Sequence, residues 1–385
     1  MLTIFLSDMH IGLNTPTNWY QKSLHQKYLK AILRYIQTNG YRIKDVVILG
    51  DWFEYSLYLP NGPIPVSLRE IFQANADIFT PARDGDFISC LDSIQGNFRY
   101  VNGNHDILVS AKEINKHFHR LSRKRKYVVC DGTPQDNTAY KANGIYAEHG
   151  HNYSMISRPD NSSDNLFAPL PVDYYVCRTW TDIVSQYIDC LGEKNSADFF
   201  AENKPLFGTG GISLDSLIKS ADRRKSFAEV VLYLLVSLAT KGKGNPRQYF
   251  YLMPDGSRIS AAEAAEMFPG PTITKKTLPG LLVDLSRSLT SVGKTFCQQG
   301  NKVVLMGHTH IPKIEHCLYM KSFNVNLGII VNTGFLCPSM KEFNNGNTMT
   351  FAEVEQKDGK YYTRLKKVDY PHTTISTMKE LMVNA

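Results

Sequence analysis

Five short segments of this 385-residue chain collect the residue types that hold metal ions and move protons. They are Ser7-Asp8-Met9-His10, Gly50-Asp51-Trp52-Phe53-Glu54, Gly103-Asn104-His105-Asp106, His149-Gly150-His151 and Gly307-His308-Thr309-His310. Six of the eleven histidines fall inside them, so imidazole is concentrated in a small part of the chain. Carboxylate, imidazole and amide donors without thiolate suit manganese, iron or zinc rather than copper(I) or an iron–sulfur cluster. Asp8, His10, Asp51, Asn104, His149, His308 and His310 are too many ligands for one tetrahedral ion. They are about right for two ions that share a carboxylate. Two metals ~4 Å apart clamp the attacking and leaving oxygens of a phosphoryl centre and generate hydroxide near neutral pH.

Such a set needs elements that bring distant segments to one edge. Leu2–Leu6 and Asp45–Leu49 read as short buried strands, and Lys22–Gln37 carries apolar residues at helical spacing between them. Phe98–Val101, Tyr127–Cys130 and Ile145–Ala147 read as further strands. Ser110 and Glu113 give a capping signal for a helix whose stripe is Ile114, Phe118 and Leu121. Alternation of this kind predicts an α/β layered domain, in which strand ends converge on one ligand-binding edge. Four of the five segments directly follow a predicted strand.

From about 152 to 296 the texture changes to long helical patterns, around 173–191 and 213–240. A hairpin turn is expected at Asp255-Gly256, and a short helix capped by Ser260 and Glu263. Strand signals return at Lys302–Met306, Gly328–Val331, Thr348–Val354 and Tyr361–Lys367. The expected organisation is a discontinuous core of 1–151 and 297–385, interrupted by a mostly helical cap at 152–296 that selects substrate.

Each segment alone is more often a turn or a satisfied surface cluster. As an ordered set they resemble the calcineurin-like metallophosphoesterase family, with its pattern D-x-H, G-D-x-x-[DE], G-N-H-[DE], H-G and G-H-x-H. The resemblance covers roughly residues 1–151 and 300–335. It implies a four-layer αββα core and a dinuclear site of two divalent ions, manganese first, iron or zinc otherwise. On that pattern Asp8, His10, Asp51 and His310 hold one metal, and Asp51, Asn104, His149 and His308 hold the other, with Asp51 bridging. A metal-bridging hydroxide would attack phosphorus in line. His105 would approach the phosphate and help the leaving group, and Asp106 would orient His105. His149 is the ligand of the H-G-H segment, and His151 is a candidate substrate contact. Asn332-Thr333-Gly334 matches a strand-end segment of the family and is given a structural role.

The resemblance implies a phosphomonoesterase or phosphodiesterase acting on a phosphorylated small molecule or a nucleotide-linked substrate. The G-D-W-F-E segment and the position of the cap also resemble the UDP-2,3-diacylglucosamine pyrophosphatases, the first alternative. The net charge is +7, and seven basic residues stand against one acidic residue within 112–126. That patch raises a nuclease, or contact with nucleic acid or an anionic membrane surface, as further alternatives. A scaffold that keeps the metal site without catalysis is the non-enzyme alternative. Of the aromatics that could stack a ring (Trp19, Trp52 and Trp180), Trp52 stands inside a ligand segment. The seven scattered cysteines form no CxxC pair, which predicts reduced thiols. The opening MLTIFLSDMH has no basic stretch before its apolar run, and Phe227–Ala239 is too short to cross a bilayer. A cytoplasmic chain is the expectation.

Overall fold

The computed structural model describes residues 1–65, 67–82, 85–130, 139–191, 226–269, 289–321, 324–339, 343, 346 and 348–385. One large sheet runs β14 (Ile375–Asn384), β13 (Lys360–Val368), β12 (Thr350–Lys357), β1 (Leu2–Leu6), β2 (Ile43–Leu49), β3 (Phe98–Val101) and β4 (Val128–Cys130). The second runs β10 (Lys313–Lys321), β11 (Asn324–Asn332), β9 (Val303–Met306), β6 (Ile145–Ala147) and β5 (Tyr140–Ala142). β1 to β4 are mutually parallel, as are β6, β9 and β11. Strands this short form because both their faces are covered. Every residue of β1 is buried, and so is all of β2 except Lys44. Burial contributes about 1.5–3 kcal/mol for each large aliphatic side chain, which outweighs the roughly 1–2 kcal/mol of backbone entropy lost at each ordered residue.

The two sheets pack face to face through Phe5, Val47, Leu49 and Val101 on one side and Ala147, Val303, Leu305, Ile329 and Val331 on the other. Outside the first sheet lie α1 (Lys22–Asn39), the short α2 (Leu68–Ala74) and α3 (Ala76–Phe79), then α4 (Phe87–Ser93) and α5 (Ala111–Leu121). Outside the second lies the helix of Leu289–Gln298, whose Cys297 and Phe296 meet Val304, Met306 and Ile330. The result is the expected αββα order. The boundary expected at 297 falls inside this last helix, which packs on the second sheet.

Between β6 and that helix come α6 (Val172–Leu191), α7 (Phe227–Ala239), the hairpin of β7 (Phe250–Leu252) and β8 (Arg258–Ser260), and α8 (Ala261–Glu266). The final helix, Leu289–Gln298, is thus α9. The Asp255-Gly256 turn and the Ser260–Glu263 capping box form as the spacing predicts. α7 buries Ala228, Leu232 and Val236 against α6 and α8, so its apolar face is interior packing. The part of the 213–240 pattern before Ser226 lies outside the described residues, as does Cys190's side chain. The other six cysteines are free thiols. No helix among the described residues is long and apolar enough to cross a membrane.

Candidate metal centre

All five chemistry-bearing segments follow the C-terminal ends of parallel strands: β1, β2, β3, β6 and β9. The loops after β1 and β2 are zipped together, since Met9 and His10 both donate their backbone N–H to Asp51 O at 2.8 Å. Asp8, His10, Asp51, His308 and His310 all have positive φ, between 48° and 67°. Side-chain-bearing residues seldom adopt that region, and each costs of order 1–3 kcal/mol there. Five in one site mean that the surrounding fold holds the backbone against local preference. Gly103 shows how tight the approach is, because a Cβ there would lie 2.0 Å from Asp51 Oδ1. Asn332 supports the last loop by donating its amide to Gly307 O and to Thr309 Oγ1, and Thr333 meets Ser7 Oγ at 2.6 Å.

The seven expected ligands form two adjoining groups. In the first, His310 Nε2 lies 3.2 Å from Asp8 Oδ1 and 3.2 Å from His10 Nε2, which is 3.6 Å from Asp51 Oδ2. In the second, His149 Nε2 lies 3.2 Å from the same Asp51 Oδ2 and 3.1 Å from Asn104 Oδ1. The His308 ring is 5.1 Å from that of His149, and its backbone N–H donates to both oxygens of Asp8. Asp51 Oδ2 therefore faces both groups.

Counting protons tests whether these residues fit metal ions. His149 gives its Nδ1 proton to Leu49 O at 2.7 Å, and Asn104 gives its amide protons to Asp173 Oδ2 at 2.7 Å. That leaves a ring nitrogen, a carboxylate oxygen and an amide oxygen converging with no proton to share. His10 likewise gives its Nδ1 proton to Glu54 Oε2 at 2.8 Å, so its Nε2 meets His310 Nε2 lone pair to lone pair unless one is protonated. Both points need positive charge. A divalent ion supplies it, and in the absence of an ion a proton must. Burial opposes a charge on His149, yet Asp51 and then Asp8 lift its pKa to about 9. Burial would raise Asp51, but His149 and His105 hold it well below the usual carboxylate range. For His308, burial and the neighbouring His149 push the pKa down to about 3, leaving the neutral ring a metal ligand requires. His10, Glu54 and His105 could also surround an ion, but their contacts are filled by the two Nδ1 protons and form a hydrogen-bond network instead.

His105 stands beside the candidate ligands, with its backbone N–H on Asp51 Oδ1 at 2.9 Å and its Nδ1 on Glu54 Oε1 at 2.9 Å. Burial disfavours its charge, but Glu54 and Asp51 raise its pKa well above the ordinary value. The expectation that Asp106 orients this ring is corrected. Asp106 Oδ2 accepts from the backbone N–H groups of Trp52 and Phe53, and Oδ1 from that of Gly103, so it ties the second and third loops together. Burial and Asp51 push its pKa up to about 6. The residue that orients His105 is Glu54. It is fully buried and also accepts from the N–H groups of Ser56 and Leu57, and His105 and His10 hold its pKa at about 2 against burial. Only its place at the end of the Gly50–Glu54 segment marks it in the sequence.

His151 is buried beside His149, ring centres 5.3 Å apart, and its Nδ1 has no hydrogen-bond partner among the described residues. Trp52 is buried among the rings of Phe53, Phe87 and Phe118. The aromatic at the site is Trp19, partly exposed, with ring centres 4.6, 5.5 and 5.2 Å from His10, His105 and His310. Trp180 packs inside the inserted segment. The insertion reaches the site residues themselves, because Asp173 and Cys177 of α6 bond to Asn104 and His105. Of the basic run, Lys112, Lys116, Arg120, Arg123, Lys124 and Arg125 are exposed, while Lys126 Nζ is drawn onto the carbonyls of Ile94 and Gly96.

A family model described as calcineurin-like phosphoesterase matches residues 1–208, more than half of the chain. Among curated proteins none matches. Solved structures give likenesses at low identity. A Vps29 variant from Entamoeba histolytica is 8% identical with a TM-score of 0.31, all of each chain being covered. A protein of Streptococcus pneumoniae described as a predicted phosphoesterase is 10% identical with a TM-score of 0.28, covering 100% of this chain and 97% of that one. A purple acid phosphatase from yellow lupin is 8% identical with a TM-score of 0.36, covering 100% of this chain and 53% of that one. The family match carries the assignment.

Proposed function

The chain belongs to the calcineurin-like phosphoesterase family, and on that premise we propose that it hydrolyses phosphate esters at a site for two divalent cations. Asp8, His10, Asp51 and His310 would hold one ion, and Asp51, Asn104, His149 and His308 the other. The observation that carries this reading is the approach of His10 Nε2 and His149 Nε2 to the one atom Asp51 Oδ2 from the two groups, with Asn104 Oδ1 beside His149. The all-nitrogen-and-oxygen donor set favours manganese, with iron or zinc as alternatives. When bound, such ions polarise phosphoryl oxygens and supply a nucleophile at neutral pH.

The rest of the chemistry belongs to the chain. Glu54 keeps the Nδ1 proton of His105 in place, so that ring presents a fixed tautomer beside Asp51 and can pass a proton to a leaving oxygen. Asp106 keeps the loops that carry Asp51 and Asn104 in register. Trp19 walls one side of the cluster, which restricts water and positions a flat or apolar leaving group. The residues from 152 up to the start of α9 would form the cap that selects substrate, and α6 would reach into the centre.

Metal analysis with a hydrolysis assay tests the reading. The chelated full chain should take up two manganese ions and then cleave a nitrophenyl phosphate mono- or diester. Asp51→Asn should lose both uptake and cleavage, because one carboxylate serves both ions. Two tightly held ions and normal turnover in that variant would remove Asp51 as the bridge. No uptake by the unaltered chain would remove the two-metal reading.

A further inference from the structure

Resting on the two-metal reading, we propose that Asp173 of the inserted helix α6 is a positioning residue for the metal centre, holding Asn104 so that its oxygen faces the ions. An amide side chain has a donor end and an acceptor end of nearly equal size, and rotation by half a turn exchanges them. Only the acceptor end can bind a cation. Asn104 Nδ2 donates to Asp173 Oδ2 at 2.7 Å while its Oδ1 points at His149 Nε2, 3.1 Å away. The reversed amide would set oxygen against carboxylate at one end. At the other it would let Nδ2 donate to His149 Nε2 and occupy the lone pair that an ion would use. A fixed carboxylate on the far side removes that competing state.

The carboxylate is itself held. Asp173 is buried, its backbone N–H donates to Ile156 O at 3.0 Å, and the Ser157 hydroxyl bonds to its side chain. One turn and a half along the helix, the buried Arg178 guanidinium grips Leu59 O at 2.6 Å and Pro60 O at 2.8 Å, together with Leu252 O. Leu59 and Pro60 lie shortly after Glu54, so α6 is tied to the stretch that follows the second ligand loop. The insertion therefore completes the site and does more than frame its entrance. Partners that orient a metal ligand typically change metal affinity 10–100-fold when removed.

Calorimetric titration of the chelated full chain with manganese tests this, with circular dichroism as the check on folding. The unaltered chain is expected to show two sites. Asp173→Ala should weaken one of them by about 10–100-fold and leave the other within about threefold. Asp173→Asn, which keeps an acceptor oxygen for Asn104 Nδ2, should restore most of that loss, as a merely structural role would not require. Should Asp173→Ala fail to fold, Asp173→Ser, whose hydroxyl is too short to reach Asn104, should show the same one-site loss. Two unaltered sites in a folded Asp173→Ala or Asp173→Ser chain would overturn the role of Asp173. No sites in the unaltered chain would overturn the reading on which it rests.

Discussion

His105 rests its Nδ1 on Glu54 Oε1 at 2.9 Å and not on Asp106, its neighbour in sequence. The same carboxylate holds His10 through Oε2 at 2.8 Å. One buried anion thus sets two imidazoles, one that would bind metal and one that would move a proton.

Replacing Glu54 by Gln keeps the shape and removes the charge. At saturating metal, turnover should fall about 10–100-fold, as for loss of a group that orients a site residue, and more for alcohol leaving groups than for nitrophenol, which leaves without a proton. His105→Ala should show the same dependence on leaving group. A series of esters with graded leaving-group pKa measures it, and a uniform loss across the series would mean that Glu54 acts only through His10.

Asp106 predicts a different phenotype. Its two oxygens satisfy the backbone N–H groups of Trp52, Phe53 and Gly103. Leaving a buried donor unpaired costs about 1–3 kcal/mol. Asp106→Asn should therefore lower stability to denaturant by about 2–3 kcal/mol, while the turnover of the folded fraction changes less than in Glu54→Gln. A stable but inactive Asp106→Asn chain would return Asp106 to the chemistry.

Arg178 lies farther from the ligands, and its prediction is one of coupling. Arg178→Met removes the grip on Leu59, Pro60 and Leu252 and should weaken metal binding in the same direction as Asp173→Ala. Residues acting through one element are not additive. The double variant should bind manganese about as well as Asp173→Ala alone, and a summed loss would separate Arg178 from the site.

The ligand segments are legible in the sequence because strand, glycine and donor follow one another within a few residues, as in Val46–Asp51. β1 and β2 are legible as unbroken apolar runs, since both their faces are covered. β14 is not, because an edge strand with Met378, Lys379 and Glu380 exposed carries no clear alternation and its charged residues suit a helix equally. β10 is missed for a related reason, its exposed Leu318 and Met320 obscuring which face is inward. Glu54 is visible as a carboxylate, but a pattern does not say which histidine it meets. Asp173 is 69 residues from Asn104, inside a helical stretch, and nothing local marks it. Contacts made across the fold leave no spacing to read.

His25, remote from the ligands, gives the stability of the fold a pH dependence of its own. It is fully buried in α1 between the rings of Tyr20 and Phe343. Its Nδ1 accepts the backbone N–H of Gln21 at 2.7 Å, and its Nε2 donates to Pro338 O at 2.6 Å. One proton satisfies both bonds, and a second would point at an N–H. Burial drives the pKa from 6.5 down to about 4, so between those values the unfolded chain binds more protons than the folded one. Stability therefore rises with pH through that window. The contribution is complete above about pH 6.5 and is lost as pH falls toward 4, the loss by pH 4 amounting to about 3 kcal/mol. His25→Gln can make both hydrogen bonds without titrating. Denaturant unfolding at pH 7 and pH 4.5 should show the unaltered chain losing about 2 kcal/mol more than the variant over that interval. Equal losses in the two would assign the acid sensitivity to other groups, and His25 would then be a neutral packing residue at both pH values.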